Sequence, residues 1–328
     1  MRTLADIGER EAIRSIQRLV TKGAHDSGIG DDCAALDLGK EYLLVTTDMM
    51  TQRTHILPEM TPYQVGWFLV AINLSDLAAK GGTPLGVVLS LGLPRKTSER
   101  YLIDLMRGAD ACATRFGTTI VGGDTKENPE ITLCGTAFGL VKKTEFMPRL
   151  GADPGDIVAV TGTLGKAGAG YYALKYGRYQ YLAKGLFEPL PRLKEGRILA
   201  QRHCVTSSMD ISDGLSSSLY QLSEMNHVGF EIDRPAIPIT QGITKISKTR
   251  KGLDPLEVAL QFGGDYELLV TMPEASFEPA LKAFRRSGTA LTRIGRVTRK
   301  REIILINGSW RTTLQNKGYE HFKHHFFS

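Results

Sequence analysis

The segment TPYQVGWFLVAINLSDLAAKGG (61–82) is apolar over most of a helical circumference. Thr61 is placed to cap it, Pro62 takes the first helical position and Gly81-Gly82 terminates it, so it predicts a buried helix. SERYLIDLMRGADACATRFG (98–117) opens at Ser98, keeps a helical period and stops at Gly117, which predicts a second. Strands are expected where β-branched and apolar residues run together: EYLLVTTDMM (41–50), ending at Asp48; TTIVGGDT (118–125), breaking at Gly122-Gly123; and ITLCGTAFGLV (131–141). A Pro/Gly-rich turn inside PRLGADPGDIVAVTG (148–162) interrupts this pattern. It restarts with a strand at 157–161, a helix near 167–176, a strand ending at Asp210, a helix opening at Asp213-Gly214 and the strand YELLVTM. The alternation predicts an α/β (α+β) chain of two mixed domains, residues 1–147 and 148–328.

A length of 328 residues exceeds what one core ordinarily supports and suits two domains. With 42% apolar and 23% charged residues, and no apolar run near the roughly 20 residues of a membrane span, the chain reads as globular and is not expected to cross a membrane. The first residues alternate charge with apolar positions and lack a signal core, so a cytoplasmic location is expected. Cys33, Cys112, Cys134 and Cys204 stand far apart, which argues against a zinc site or a disulfide framework. The net charge of +6 comes without any Lys/Arg block or interleaved aromatics, so nucleic acid is not the expected partner, and small anionic substrates suit it better. TGTLGKAG is not a P-loop, because Ala167 stands where the motif needs Ser or Thr.

Acidic residues recur where predicted elements end: GIGDDCAAL (Asp31, Asp32), VTTDMM (Asp48), NLSDLAAKGG (Asp76), VGGDT (Asp124), MDISDGL (Asp210, Asp213) and GGDYELL (Asp265, Glu267). Each has an ordinary explanation: a solvated Gly-Asp-Asp turn, Asp213 as a helix N-cap, Asp76 pairing with Lys80 one turn on. Together they are harder to place. Asp48, Asp76 and Asp124 sit at or beside apolar segments, and a buried carboxylate needs a cation or a full set of donors. Two like charges about 4 Å apart repel by about 4 kcal/mol at an effective dielectric of about 20, so converging aspartates require divalent cations. Magnesium fits best, since there is no His/Cys group and no EF-hand loop, and it takes one or two carboxylates while phosphates and waters complete an octahedron. So many aspartates imply more than one ion. Adjacent residues of an extended segment point to opposite sides, so one of Asp31 and Asp32 faces the site; spacing leaves the choice open.

GIGDDCA, TTDM followed by His55, AINLSDLAAKGG, VGGDT, RLGADPGD, VTGTLG, MDISDGL, GGDYELL and GYEHF run in one order over nearly the whole chain. In that order and spacing the sequence resembles the thiamine-monophosphate kinase family, within the wider aminoimidazole-ribonucleotide-synthetase-like ATP-binding superfamily. The resemblance implies an N-terminal α/β domain that builds a barrel-like sheet across a homodimer interface, and a C-terminal α+β domain that closes the nucleotide cleft. It implies that Asp32, Thr46, Thr47, Asp48, Asp76, Asp124, Asp210 and Asp213 hold several Mg2+ ions. Gly123, Asp124, Arg149 and Ser212 would contact ATP, Arg149 as a fixed charge on its phosphates. His55 and Tyr319 would contact the substrate, thiamine monophosphate. The family's Glu before DYEL falls on Gly264 here, so Asp265 is the expected replacement; Gln52 and Arg53 stand for a more usual Glu-Gly, which implies a differently shaped loop. The implied reaction is direct in-line transfer from ATP to the substrate phosphate, with no acid or base nominated. A sister enzyme making selenophosphate or a purine precursor, or a non-catalytic sensor, are the alternatives.

Overall fold

A computed structural model describes residues 2–21, 29–285 and 287–323; Gly28, which opens the GIGDDCA motif, lies outside them. Strands β1 (Ala34–Asp37), β2 (Glu41–Thr51), β3 (Thr83–Leu93), β4 (Ile120–Glu127) and β5 (Thr132–Lys142) form one sheet, in the order β1-β2-β5-β3-β4. Strands β6 (Ile157–Thr161), β7 (Ser207–Asp210), β8 (Gly229–Asp233), β9 (Leu268–Met272), β10 (Leu291–Thr298), β11 (Ile303–Asn307) and β12 (Trp310–Thr313) form a second, in the order β12-β11-β8-β10-β6-β9-β7. The expected two-part mixed architecture is present.

Helices α1 (Leu4–Leu19), α2 (Pro62–Ala79), α3 (Glu99–Arg115) and α4 (Lys166–Lys175) include the two that the apolar pattern predicts most clearly, α2 and α3. Thr61 and Ser98 cap them: Thr61 Oγ1 accepts from Gln64 N at 3.3 Å and Ser98 Oγ from Tyr101 N at 3.2 Å. α2 is buried from Val65 to Ser75, as its all-round apolar sequence requires. It packs on α3 so closely that a Cβ on Gly66 would lie 1.9 Å from Leu105 O, and one on Gly108 1.8 Å from Tyr63 O. It also touches β2 and β5 on one side, and β7 and the Leu193–Ala200 helix on another. α2 is therefore shared between the two sheets, and its C-terminal half brings Asp76 between them.

One expectation needs correction. β4 runs through Gly122-Gly123 without a break, because glycine lets it approach β3: Leu89 pairs with Gly123, and a Cβ on Gly123 would lie 1.9 Å from Leu89 O. β3 itself, left unassigned by the pattern after the Gly81-Gly82 terminator, is interior to its sheet. The first sheet buries Leu44, Val87, Leu89, Leu133 and Ala137 against the helices, whereas Met49, Leu85 and Val121 are exposed. Among the described residues all cysteines are free, and no helix is long and apolar enough to cross a membrane.

Candidate active site

The ends of β2, α2 and β7 deliver acids to one point. Strand alternation turns Thr46 toward α2, where its Oγ1 donates to Asp76 Oδ2 at 2.5 Å. Thr47 faces the opposite side and donates to Gly135 O at 3.0 Å, so its side chain does not join the acids. Asp210 ends β7 and accepts from Ser75 Oγ at 2.7 Å. One ligand oxygen each from Asp32, Asp76 and Asp210 lies within 4.8 Å of the others.

Charge is unbalanced here. Burial, then the charges of Asp32 and Glu9, push the Asp48 carboxyl up to about 6. Burial and Asp32 push Asp210 up to about 7, and burial and Glu9 push Asp213 to about 7. Asp76 is held well above the usual carboxylate range by burial, Asp48 and Asp210.

The compensating cations sit to one side. Lys80 is fully buried, with Nζ 2.6 Å from Asp31 Oδ1 and 2.8 Å from Asp32 Oδ2, and it donates to Ser208 O at 2.7 Å. The expected Lys80–Asp76 pair is absent: α2 stops at Ala79 and Lys80, its C-cap, leads toward the 31–32 turn. Arg149 donates Nε to Asp32 Oδ1 at 2.8 Å and also through NH2, while its main-chain N–H donates to Asp31 Oδ2 at 3.0 Å. Asp31 thus ties the turn to Lys80 and Arg149, and Asp32 is the one that faces the cluster. Arg149 and Lys80 hold Asp32 below its usual value against the cost of burial. Its Oδ2, though near Lys80, receives no well-directed hydrogen bond. Converging acids with raised affinities for protons are a donor set fit for divalent cations.

A cavity of about 600 Å3 opens from this cluster. Asp48, Asp76, Asp210, Asp213 and Glu9 line it, with Ser212 beside them; Phe68, Tyr171, Phe187, Phe262 and Tyr266 supply aromatic surface; His55, Tyr319 and His321 also line it. Thr51 N–H donates to His55 Nδ1 at 3.4 Å, and Thr54 Oγ1 lies 2.6 Å from the same nitrogen. Burial and the adjacent His321 push the His55 pKa down to about 4, so the ring is neutral near pH 7 with Nε2 carrying the proton. Tyr319 Oη is 3.0 Å from His321 Nδ1.

Two sequence expectations fall elsewhere, and the ordinary reading of Asp213 does not hold. Asp265 does not line the cavity: its carboxylate accepts from Gly165 N at 2.5 Å and Ala167 N at 3.0 Å at the start of α4, and Gly264 occupies the wall instead. Asp213 is not an N-cap, because Gly214 takes that position ahead of the Leu215–Asn226 helix. Gly123 and Asp124 lie on the edge strand β4, three strands from Asp48 through Gly135 and Leu89, or roughly 14 Å at the usual strand spacing. Asp124 is exposed there and pairs with Lys126 at 3.4 Å. Sequence reading missed Glu9 and the aromatic walls. Only the GE pair inside an otherwise helical stretch hints at Glu9, and nothing local marks the aromatics.

The chain matches two family models, described as AIR synthase related protein, N-terminal domain, over residues 30–141, and AIR synthase related protein, C-terminal domain, over residues 153–307. It is 38% identical to a thiamine-monophosphate kinase of Methanospirillum hungatei, covering 89% of this chain and 92% of that one. It is 34% identical to a thiamine-monophosphate kinase of Escherichia coli, covering 90% and 91%. A solved structure of AaThiL complexed with AMPPCP and TMP superimposes with a TM-score of 0.87 at 28% identity, covering 98% of this chain and 99% of that one.

Proposed function

This chain belongs to the AIR synthase related family and, within it, to the thiamine-monophosphate kinases, and we propose that it transfers the γ-phosphoryl group of ATP to the phosphate of thiamine monophosphate, giving ADP and thiamine diphosphate. The observation that carries this reading is the pairing, in one cavity, of uncompensated buried acids with an aromatic wall. The first suits metal-bound phosphates, the second a planar heteroaromatic substrate.

Asp32, Asp48, Asp76, Asp210 and Asp213 would hold the Mg2+ ions, with Thr46 orienting Asp76. Magnesium held by these residues would supply charge neutralisation between two polyanions. The chain's own residues position the reactants. Arg149 presents its guanidinium beside Asp32 for the ATP phosphates, Ser212 offers a hydroxyl in the cavity, and His55 Nε2–H and Tyr319 meet the substrate. A phosphate nucleophile is already ionised near neutral pH, so positioning suffices and no general base is assigned.

Thr47, Gly123 and Asp124 reach this reaction in a homodimer. They lie on the outer face and edge of the first sheet, where Met49 and Val121 are 60% and 55% exposed, and a second copy covering that face would bring them to the nucleotide. We put the domain division at 147/148, a reading supported by the absence, among the described residues, of a strand or α-helix between β5 and β6. The test is incubation of the pure protein with Mg2+, ATP and thiamine monophosphate. Equal amounts of thiamine diphosphate and ADP are expected; ADP without thiamine diphosphate, or neither product, overturns the reading.

A further inference from the structure

We propose that Glu9 is the anionic contact for the positively charged ring of the substrate. The inference rests on the function proposed above. α1 is interrupted at Gly8 (φ 76, ψ 175), a conformation open to glycine and closed to most other residues. A Cβ at that position would lie 2.3 Å from Glu320 Oε1 and 2.5 Å from Lys323 Cε, so the break seats α1 directly on the C-terminal segment. It also sets the direction of the next side chain. Glu9 lines the cavity, and its Oε2 accepts the main-chain N–H of His321 at 3.3 Å.

The neighbouring basic residues of α1 are engaged elsewhere: Arg10 donates to Ser217 Oγ at 2.6 Å, and Arg14 pairs with Glu11 and Glu224. Among the described residues Glu9 therefore has no cation partner. A carboxylate without a cation, facing a space walled by Phe68, Tyr171 and Tyr266, is suited to a cationic ring. The thiazolium of thiamine monophosphate carries a fixed positive charge and is joined to its phosphate by a short ethyl chain. With the phosphate at the aspartates, that ring lies within reach of Glu9, whose charge is felt by Asp48 and Asp213. Gly264 in the same lining has no side chain, and Asp265 is bonded to the start of α4, so neither supplies a carboxylate there.

The experiment uses the full chain with ATP and Mg2+. KM for thiamine monophosphate and for ATP, and half-saturation by Mg2+, are measured in wild type, Glu9→Gln and Glu9→Asp. Inhibition by the 3-deaza analogue of thiamine monophosphate, whose thiophene ring is neutral, is measured beside them. Glu9→Gln should raise the KM for thiamine monophosphate about tenfold, with the KM for ATP, Mg2+ half-saturation and the inhibition constant of the neutral analogue each unchanged within about twofold. Glu9→Asp should fall between. An equal weakening of the charged substrate and the neutral analogue, a rise confined to the Mg2+ requirement, or no change overturns the role of Glu9. Failure of the wild type to form thiamine diphosphate overturns the function itself, so the two failures are distinct.

Discussion

Asp210 and Glu267 are almost equally buried, at 2% and 0% exposure, and they flank one main-chain hydrogen bond, Ile211 N to Glu267 O at 2.8 Å. Their carboxyls nevertheless move in opposite directions. Against the cost of burial, Glu267 is held below the usual range by Lys166 at 2.5 Å and Arg192 at 2.6 and 2.7 Å, and Thr161 Oγ1 also donates to it at 2.6 Å. Asp210 is pushed up to about 7 by burial and by the charges of Asp32 and Asp48, against the hydrogen bond that Ser75 donates to it. Burial alone therefore does not distinguish a structural acid from a functional one. The sign of the surrounding charge does, and an acid left among acids marks where an outside cation belongs.

The sharpest break of this comparison is Asp210→Asn. It should lower turnover by about a thousandfold, at the upper end of the loss from one preorganised electrostatic group. In EDTA its melting temperature should equal or exceed that of the wild type, because a repelling charge is gone; a large fall in stability would make Asp210 structural. Glu267→Gln should do the reverse. Leaving Lys166 and Arg192 uncompensated should cost about 3–5 kcal/mol in denaturant unfolding, and an unchanged midpoint would remove the contrast.

Acidity should separate the two sets next. Asp48, Asp210 and Asp213 have raised folded-state values, about 6, 7 and 7, so between pH 4 and 7 the native state binds more protons than the unfolded chain. EDTA-treated protein should therefore lose stability as pH rises through that window, melting higher at pH 5 than at pH 8, and Mg2+ should abolish the difference. Glu267, with a lowered value, contributes stability that is lost only as pH falls below the ordinary Glu range. A melting temperature that rises from pH 5 to pH 8 in EDTA would contradict the assignment. The smallest effect compares two threonines that each serve one acid. Thr161→Val should cost about 1–2 kcal/mol of stability through its bond to Glu267. Thr46→Val should leave stability nearly unchanged and raise the Mg2+ needed for half-maximal rate about tenfold.

What was legible in the sequence follows from range. α2 and α3 could be read because their caps, periods and terminators are local. The aspartates could be read as a set because they end elements. Asp213 reads as a cap along the chain, and only the backbone at Gly214 shows which residue starts the helix. Lys80 illustrates the other limit: helical spacing offers it Asp76, but the chain bends at the end of α2 and delivers it to Asp31 and Asp32.

The sequence by itself determined the family, the mixed two-part architecture and the kinds of group at the site, because motif order and periodicity are properties of the chain read along its length. Tertiary structure alone decided that Lys80 pairs with Asp31 and Asp32, that Asp265 serves a helix start, and that Glu9 enters the cavity from the first helix. Those outcomes depend on which charges meet across gaps of many residues, and the sign and distance of such meetings are set by packing.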